Sequence, residues 1–259
     1  LNPPKSRNPL LDISLSVFFP CYNEQDNVQR VCAQAAGVLD ELVTDWEIIL
    51  VNDGSADRTG DIIDRLAARD ARICAVHHER NGGYGMALRS GFAAASKEYV
   101  FYSDGDGQFD MSELGLLLAR RDEAEIVSGY RRKRQDPWPR RLNGACWSWL
   151  VQRVLRFRCR DVDSAFKLYR REIFDNMNLR STGALIDAEV LARATRAGCR
   201  IVTVPVTHLP RQVGEQTGAK FSVVLKAFGE LWRLRRQIIA DVQPVPAKRV
   251  EEPVSAGRP

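Results

Sequence analysis

Tyr99-Val100-Phe101-Tyr102-Ser103-Asp104-Gly105-Asp106-Gly107-Gln108 joins two kinds of sequence within ten residues. Its first half is an almost unbroken β-branched and aromatic run, the composition of a strand covered on both faces. Its second half sets two carboxylates at i and i+2. In extended backbone these share one side, and Gly105 between them leaves room for a ligand to approach. Hard oxygen donors without His or Cys suit Mg²⁺ or Mn²⁺. Mg²⁺ commonly takes one or two carboxylates plus substrate phosphates, and Gln108 adds a neutral oxygen.

Outward from this segment the same kind of run recurs at Ile13–Phe19, Trp46–Val51, Arg72–Val76, Glu125–Ser128 and Ile201–Val206. Helical stretches fall between most of them, at Asp26–Leu42, Ala56–Arg69, Tyr84–Ser96, Met111–Arg120 and Leu185–Ala197. This alternation predicts an α/β fold, a mainly parallel twisted sheet flanked by helices. Residues 1–11 read as an arm, 12–218 as one domain, 219–240 as an amphipathic C-terminal helix, and the proline-containing 241–259 as a disordered tail.

In such sheets ligands collect at the carboxyl ends of the strands. Three more polar segments fall there: Pro20-Cys21-Tyr22-Asn23-Glu24, Asn52-Asp53-Gly54-Ser55 and Asn81-Gly82-Gly83-Tyr84-Gly85. Each alone is ordinary turn chemistry; four along one rim form a candidate site. The glycines precede a helix, whose open backbone N–H groups would suit phosphate. Neither a Walker loop nor a dinucleotide Gly-x-Gly-x-x-Gly is spelled out, which weighs against those nucleotide-binding classes.

The net charge of +5 hides a division. Residues 1–110 carry 10 basic and 17 acidic side chains, whereas 111–259 carry 28 and 16. Six scattered cysteines form no Cys-x-x-Cys pair and fit reduced thiols in the cytoplasm. No apolar run approaches the ~18–20 residues of a membrane span.

Val17 to Glu24, Glu47 to Thr59, Asn81 to Gly91 and Asp104-x-Asp106-x-Gln108 together resemble the family 2 inverting glycosyltransferases of the GT-A fold. Arg160 to Arg171, Asp187-Ala188-Glu189 and Val204-Pro205-Val206 with Arg211 make the chain similar to the dolichyl- and polyprenyl-phosphate sugar synthases among them. It departs at Ala165, where many relatives have Gly, and at the Gln216–Lys220 insertion. The resemblance implies that Pro20, Tyr22, Glu24 and Asp53 hold the base and ribose of a nucleotide-sugar, with Gly83 also on the donor. Asp104 would lie against the ribose or diphosphate, Asp106 and Gln108 would bind the metal, and Arg131 would meet the phosphates or the acceptor.

Charge agrees with the lipid-phosphate acceptor that the resemblance implies. A phosphate monoester is already anionic near neutrality and needs cations, whereas a sugar hydroxyl needs a base. Arg140, Arg141 and Arg211 are the expected acceptor-phosphate ligands. Asp163 is a candidate catalytic group, or else the partner of a buried arginine. Residues 142–157 and 220–239 mix tryptophan, aliphatic and basic residues. That mixture fits either the core or an anionic membrane face, making a peripheral protein on the cytoplasmic side the expectation. Two other readings are a saccharide-hydroxyl acceptor and, from the basic half, nucleic acid. The latter lacks a reader motif, so no nucleic-acid partner is expected.

Overall fold

The computed structural model describes residues 10–132, 138–209 and 221–241, with backbone alone for 138–143 and 221–227. Seven strands form one sheet in the order β3-β2-β1-β4-β6-β5-β7. They are β1 (Leu11–Cys21), β2 (Val43–Asn52), β3 (Ile73–His77), β4 (Tyr99–Ser103), β5 (Ile126–Arg131), β6 (Phe166–Arg170) and β7 (Ile201–Val206). Every pairing is parallel except those of β6, which runs antiparallel between β4 and β5.

The helices are α1 (Val28–Leu42), α2 (Thr59–Arg69), α3 (Tyr84–Ala94), α4 (Leu114–Leu118), α5 (Trp138–Leu155), α6 (Ile186–Arg196) and α7 (Phe221–Ala240). The first two crossovers step outward from β1 to β3 and pack α1 against α2. The third returns across β2 and β1 to β4. Right-handed crossovers therefore put α3 on the opposite face, where it meets α6. Helices α5 and α7 pack on α6 and on each other.

The central strands are buried on both faces, as continuous apolar runs require: Val17, Phe18 and Phe19 of β1, Ile48 to Val51 of β2, and Val100 to Tyr102 of β4. Phe18 stacks on Tyr102, and Phe92 of α3 meets both edge-on.

Strand β6 differs from the sequence reading, which assigned Phe166–Arg170 to no strand. A lysine at its centre breaks the apolar pattern, yet Lys167 is wholly buried. The predicted helix Met111–Arg120 divides into a 3-10 turn at Met111–Glu113 and the short α4. Strand β1 begins at Leu11, inside the segment expected as an arm.

Because β6 is antiparallel, its beginning lies at the rim where the other strands end. The segment Arg160–Ala165 therefore joins the four polar segments there. Ser103 pairs with Phe166, which puts the start of β6 beside the end of β4.

Candidate active site

The first two rim segments are stitched together. Backbone N–H groups of Asn23 and Gln25 donate to Ser55 Oγ (3.0 Å) and Asp57 Oδ2 (3.2 Å). In return, Ala56 N–H donates to Asn23 Oδ1 (2.9 Å) and Arg58 N–H to Gln25 Oε1 (3.1 Å). Glu24 accepts from Asn27 Nδ2 at 2.7 Å, while Tyr22 stands exposed beside it. Pro20 is half-buried at the end of β1, and its carbonyl lies close to Gly105.

Asp53 is 3% exposed and anchors the glycine segment. Its Oδ1 accepts from Gly82 N–H (2.9 Å) and its Oδ2 from Gly83 N–H (3.0 Å), and His78 Nδ1 lies 2.6 Å from Oδ1. The N–H groups of Gly82 and Gly83, just before α3, are therefore already engaged. Gly85 N–H donates to Thr182 O at 2.9 Å, and Met86 N–H to Gly83 O. A phosphate would have to displace bonds that a carboxylate holds at closer quarters.

The glycines are required here for approach. Gly83 has φ +90°, and a Cβ on Gly85 would fall 2.6–2.8 Å from backbone atoms of Ser181 to Gly183.

Asp104 and Asp106 lie side by side after β4, and Asp106 is 8% exposed. Tyr84 Oη, at the first turn of α3, donates to Asp104 Oδ1 at 3.1 Å. Asp106 Oδ1 accepts from Gln108 N–H at 3.0 Å, which curls the segment into a compact turn. Gln108 Nε2 donates to Leu209 O (3.2 Å), and Leu209 N–H donates to Gln108 O (2.8 Å). A bridge between Phe109 and His208 adjoins them. The carboxyl turn is thereby tied to the segment leaving β7, which brings His208 into the rim. The parallel β5–β7 pairing is what carries residue 208 there.

Burial, and then the neighbouring Asp106 carboxylate, push the Asp104 carboxyl up to about 7. Two carboxylates crowded in this way are a site that gains by taking up a cation. Among the described residues no cluster of three His, Cys, Asp or Glu side chains forms a complete protein cage. The pair with Gln108 suits a cation that draws its remaining ligands from substrate and water.

On the other side of β4 lies a buried pair that the sequence reading did not select. Lys167 Nζ contacts Asp187 Oδ1 at 2.7 Å and donates to Tyr102 Oη at 3.1 Å and to Ser164 O. Tyr102 Oη also donates to Asp187. Glu189 is wholly buried. Its carboxylate accepts from the N–H groups of Arg180 and Ser181 and pairs with Arg193 at 2.8 Å. Both acidic residues of α6 are thus engaged in holding the fold.

Arg131 ends β5 and grips Asp161 with two parallel contacts, Nε–Oδ2 at 2.8 Å and Nη2–Oδ1 at 2.7 Å. Against the upward push of burial, the hydrogen bonds from Arg131 and then its charge hold the Asp161 carboxyl below its usual range. The arginine partner envisaged for Asp163 thus falls instead to Asp161. Asp163 opens to solvent, yet the protein crowding around it and the Asp187 carboxylate raise its pKa.

Arg140 and Arg141 fall in α5 where only the backbone is described, and Arg211 lies outside the described residues. From Asp161 and Asp163 a cavity of ≈ 1070 Å³ extends between α5, the segment after it and the β5–β7 edge.

A doubly covered sheet in this order, with an acidic pair closing its central strand, is the architecture of a GT-A glycosyltransferase. Residues 16–177, more than half of the chain, match Glycosyl transferase family 2, and the protein belongs to that family. The structure is similar to glucosyl-3-phosphoglycerate synthase from Mycobacterium tuberculosis in complex with Mn²⁺, UDP and glucosyl-3-phosphoglycerate. That match has a TM-score of 0.59 and 20% identity, over 88% of this chain and 78% of the other. The same enzyme with Mg²⁺ and UDP matches at TM-score 0.59 and 19% identity, with the same coverage. S. aureus TarS 1-349 in complex with UDP-GlcNAc matches at TM-score 0.62 and 18% identity, over 89% of this chain and 68% of that one. At such identities the likeness is one of fold.

Proposed function

We propose that the protein transfers a sugar, with inversion, from a GDP- or UDP-sugar to a polyprenyl or dolichyl phosphate, with Mg²⁺ or Mn²⁺ bound at Asp106 and Gln108. The observation that carries this reading is the division of one rim. Paired carboxylates that gain by binding a cation stand at β4, and beyond β6 the same rim carries Arg131 and Arg160 at the mouth of a cavity that runs toward the amino end of β7. The solved relatives with Mn²⁺ or Mg²⁺ and UDP agree with the donor half.

When bound, the cation neutralises charge on the departing diphosphate. The chain's own residues do the remainder. Tyr22 and Glu24 line the nucleotide end. Asp53 holds the glycine segment in the shape that Gly83 and Gly85 permit, and Tyr84 keeps Asp104 turned toward the donor. Arg131, oriented by Asp161, borders the acceptor side.

A phosphate acceptor also agrees with how the nearby acids are used. Asp187 and Glu189 are tied to cations and backbone donors. A phosphate oxygen is already anionic near neutrality and loses no proton on attack.

The second reading, a saccharide-hydroxyl acceptor, needs a base, and Asp163 is the exposed carboxyl with a raised pKa. The competing acceptors separate in one assay. Released nucleotide diphosphate and radiolabelled product are measured with a nucleotide-sugar panel, Mn²⁺, and either polyprenyl phosphate or free glycans. Labelled lipid is the expected product. Transfer only to glycans, abolished by Asp163→Asn, would favour the second reading.

No helix among the described residues is long and apolar enough to cross a membrane. Contact from the cytoplasmic side would come through α5 and α7. Trp149 (66% exposed), Trp232 (52%), Phe228 and Ile239 face outward there, with Arg153, Arg233 and Arg235 nearby.

A further inference from the structure

Two histidines stand in succession at the end of β3, one turned to each face of the sheet. Asn52 pairs with His77, so Asp53 comes level with His78, whose N–H donates to Asn52 O at 2.9 Å. Successive side chains leave a strand on opposite faces. His77 and Asn52 turn toward α2, where His77 Nε2 lies 3.1 Å from Asp64 Oδ1. His78 and Asp53 turn toward α3, where His78 Nε2 lies 2.8 Å from Ser90 Oγ.

The partners assign the protons. Ser55 N–H donates to Asn52 Oδ1, so the amide presents Nδ2 to His77 Nδ1, which accepts at 3.0 Å. At His78 the order is reversed. A carboxylate only accepts, so Nδ1, 2.6 Å from Asp53 Oδ1, carries the hydrogen. Nε2 then accepts from the Ser90 hydroxyl, and if the ring takes a second proton the hydroxyl turns and accepts instead. Either way the bond to Asp53 is kept.

Ser90, His78 and Asp53 stand in the order of a nucleophilic triad, but they do not form one. Ser90 lies within α3, so the backbone N–H groups beside it belong to the helix and not to an oxyanion site. The relay ends instead on the glycine segment. Gly82 and Gly83 N–H donate to the two Asp53 oxygens, and with His78 they take most of what the carboxylate can accept. That segment rests on the next one, since a Cβ on Gly54 would fall 2.5 Å from Asn81 N. Ser55 in turn holds Asn23 N–H. Removing the imidazole leaves a buried carboxylate short of a charge-assisted bond, at the point where this wall of the rim is anchored.

We propose that His78 and Ser90 are positioning residues for the nucleotide half of the donor. Acting through Asp53, they hold residues 81–85 in the shape that accepts it. The inference rests on the reading of this rim as a nucleotide-sugar site.

Calorimetric titration of the full chain with UDP and with GDP, each with Mn²⁺, tests it alongside amide exchange of residues 79–85. His78→Ala should weaken the nucleotide that wild type binds by about tenfold, the scale of one charge-assisted hydrogen bond, and should speed exchange at Gly82 and Gly83. His78→Asn, whose amide can donate from the place of Nδ1, should recover most of both. Ser90→Ala should fall between. In turnover the loss should appear in the donor KM and leave kcat within about twofold. Unchanged nucleotide affinity in His78→Ala would overturn the proposal. So would faster exchange without weaker binding, or a loss that His78→Asn does not recover, which would point to ring volume. If wild type binds neither nucleotide while His78→Ala still speeds exchange at Gly82 and Gly83, the donor reading fails, and with it the nucleotide role, while the clamp on the glycines stands.

Discussion

At the scale of single residues, the rim is built from charges that hold one another in place. Lys167 is wholly buried, and its ammonium is compensated by Asp187 and two neutral oxygens. Removing one partner of such a pair costs about 3–5 kcal/mol, because the other charge stays behind in low dielectric. Lys167→Met should therefore lower unfolding free energy by that order in urea titration, and Lys167→Met with Asp187→Leu should recover much of it. Equal losses in the single and double variants would mean that the ion pair is not the cause. Asp104 makes a second case. Its carboxyl is pushed up to about 7 in the folded protein, against about 3.9 in an unfolded chain. Between those values the folded state holds a proton that the unfolded state has released. Stability therefore falls as pH rises from about 4 to 7, by at most about 1.4 kcal/mol per pH unit. Asp104→Asn should flatten that slope in thermal scans, and Mn²⁺ should raise the wild-type midpoint most at the upper end, where both carboxylates are ionised. An unchanged slope in the variant would show that other groups set it.

At the scale of elements, legibility depended on whether a segment's neighbours are close in sequence. The strand–helix alternation from Ile13 to Ser103 was readable because each strand is an apolar run and each rim segment carries its own Asn, Asp and Gly. Strand β6 was not, because Lys167 becomes compatible with a core strand only through Asp187, twenty residues later. The Asp104-x-Asp106-x-Gln108 turn was visible in the sequence, whereas the carboxylate that anchors the glycine segment was not. Asp53 and Gly82 are separated by 29 residues and joined only when β2 and β3 pair. For α7, the sequence left core and membrane as alternatives, and the helix divides between two faces. Leu231, Leu234 and Ile238 are buried, while Phe228, Trp232 and Ile239 face outward. Trp147 of α5 meets Phe228 at 5.3 Å, so the two helices share this face. Replacing Trp149 and Trp232 together by Ser should reduce co-sedimentation with phosphatidylglycerol vesicles severalfold. Stability should change by no more than about 0.5 kcal/mol, since neither ring is in the core. Undiminished vesicle binding would remove the aromatic face from the membrane reading.

At the scale of the whole molecule, the acidic N-terminal and basic C-terminal halves meet at one rim. The sheet order explains how. Strands β1 to β4 bring the carboxylates of the first half to the middle of the sheet, and β5 to β7 continue outward with the arginines of the second. Donor and acceptor ends of the site should then respond differently to ionic strength. On the donor side, a cation in close contact with carboxylates and diphosphate is little screened, because its partners lie well inside a Debye length. On the acceptor side, Arg131 and Arg160 would act on an incoming phosphate at the mouth of an open cavity. Attraction at those separations weakens as the Debye length shrinks from about 10 Å at 0.1 M salt to about 3 Å at 1 M. Raising NaCl from roughly 0.05 to 0.5 M, at saturating Mn²⁺, should increase KM for a phosphorylated lipid acceptor about tenfold and leave KM for the nucleotide-sugar within about twofold, an expectation set by that screening. If the two KM values rise together, screening acts on the donor as well, and the separation of the two halves along the rim is not what the charge division means.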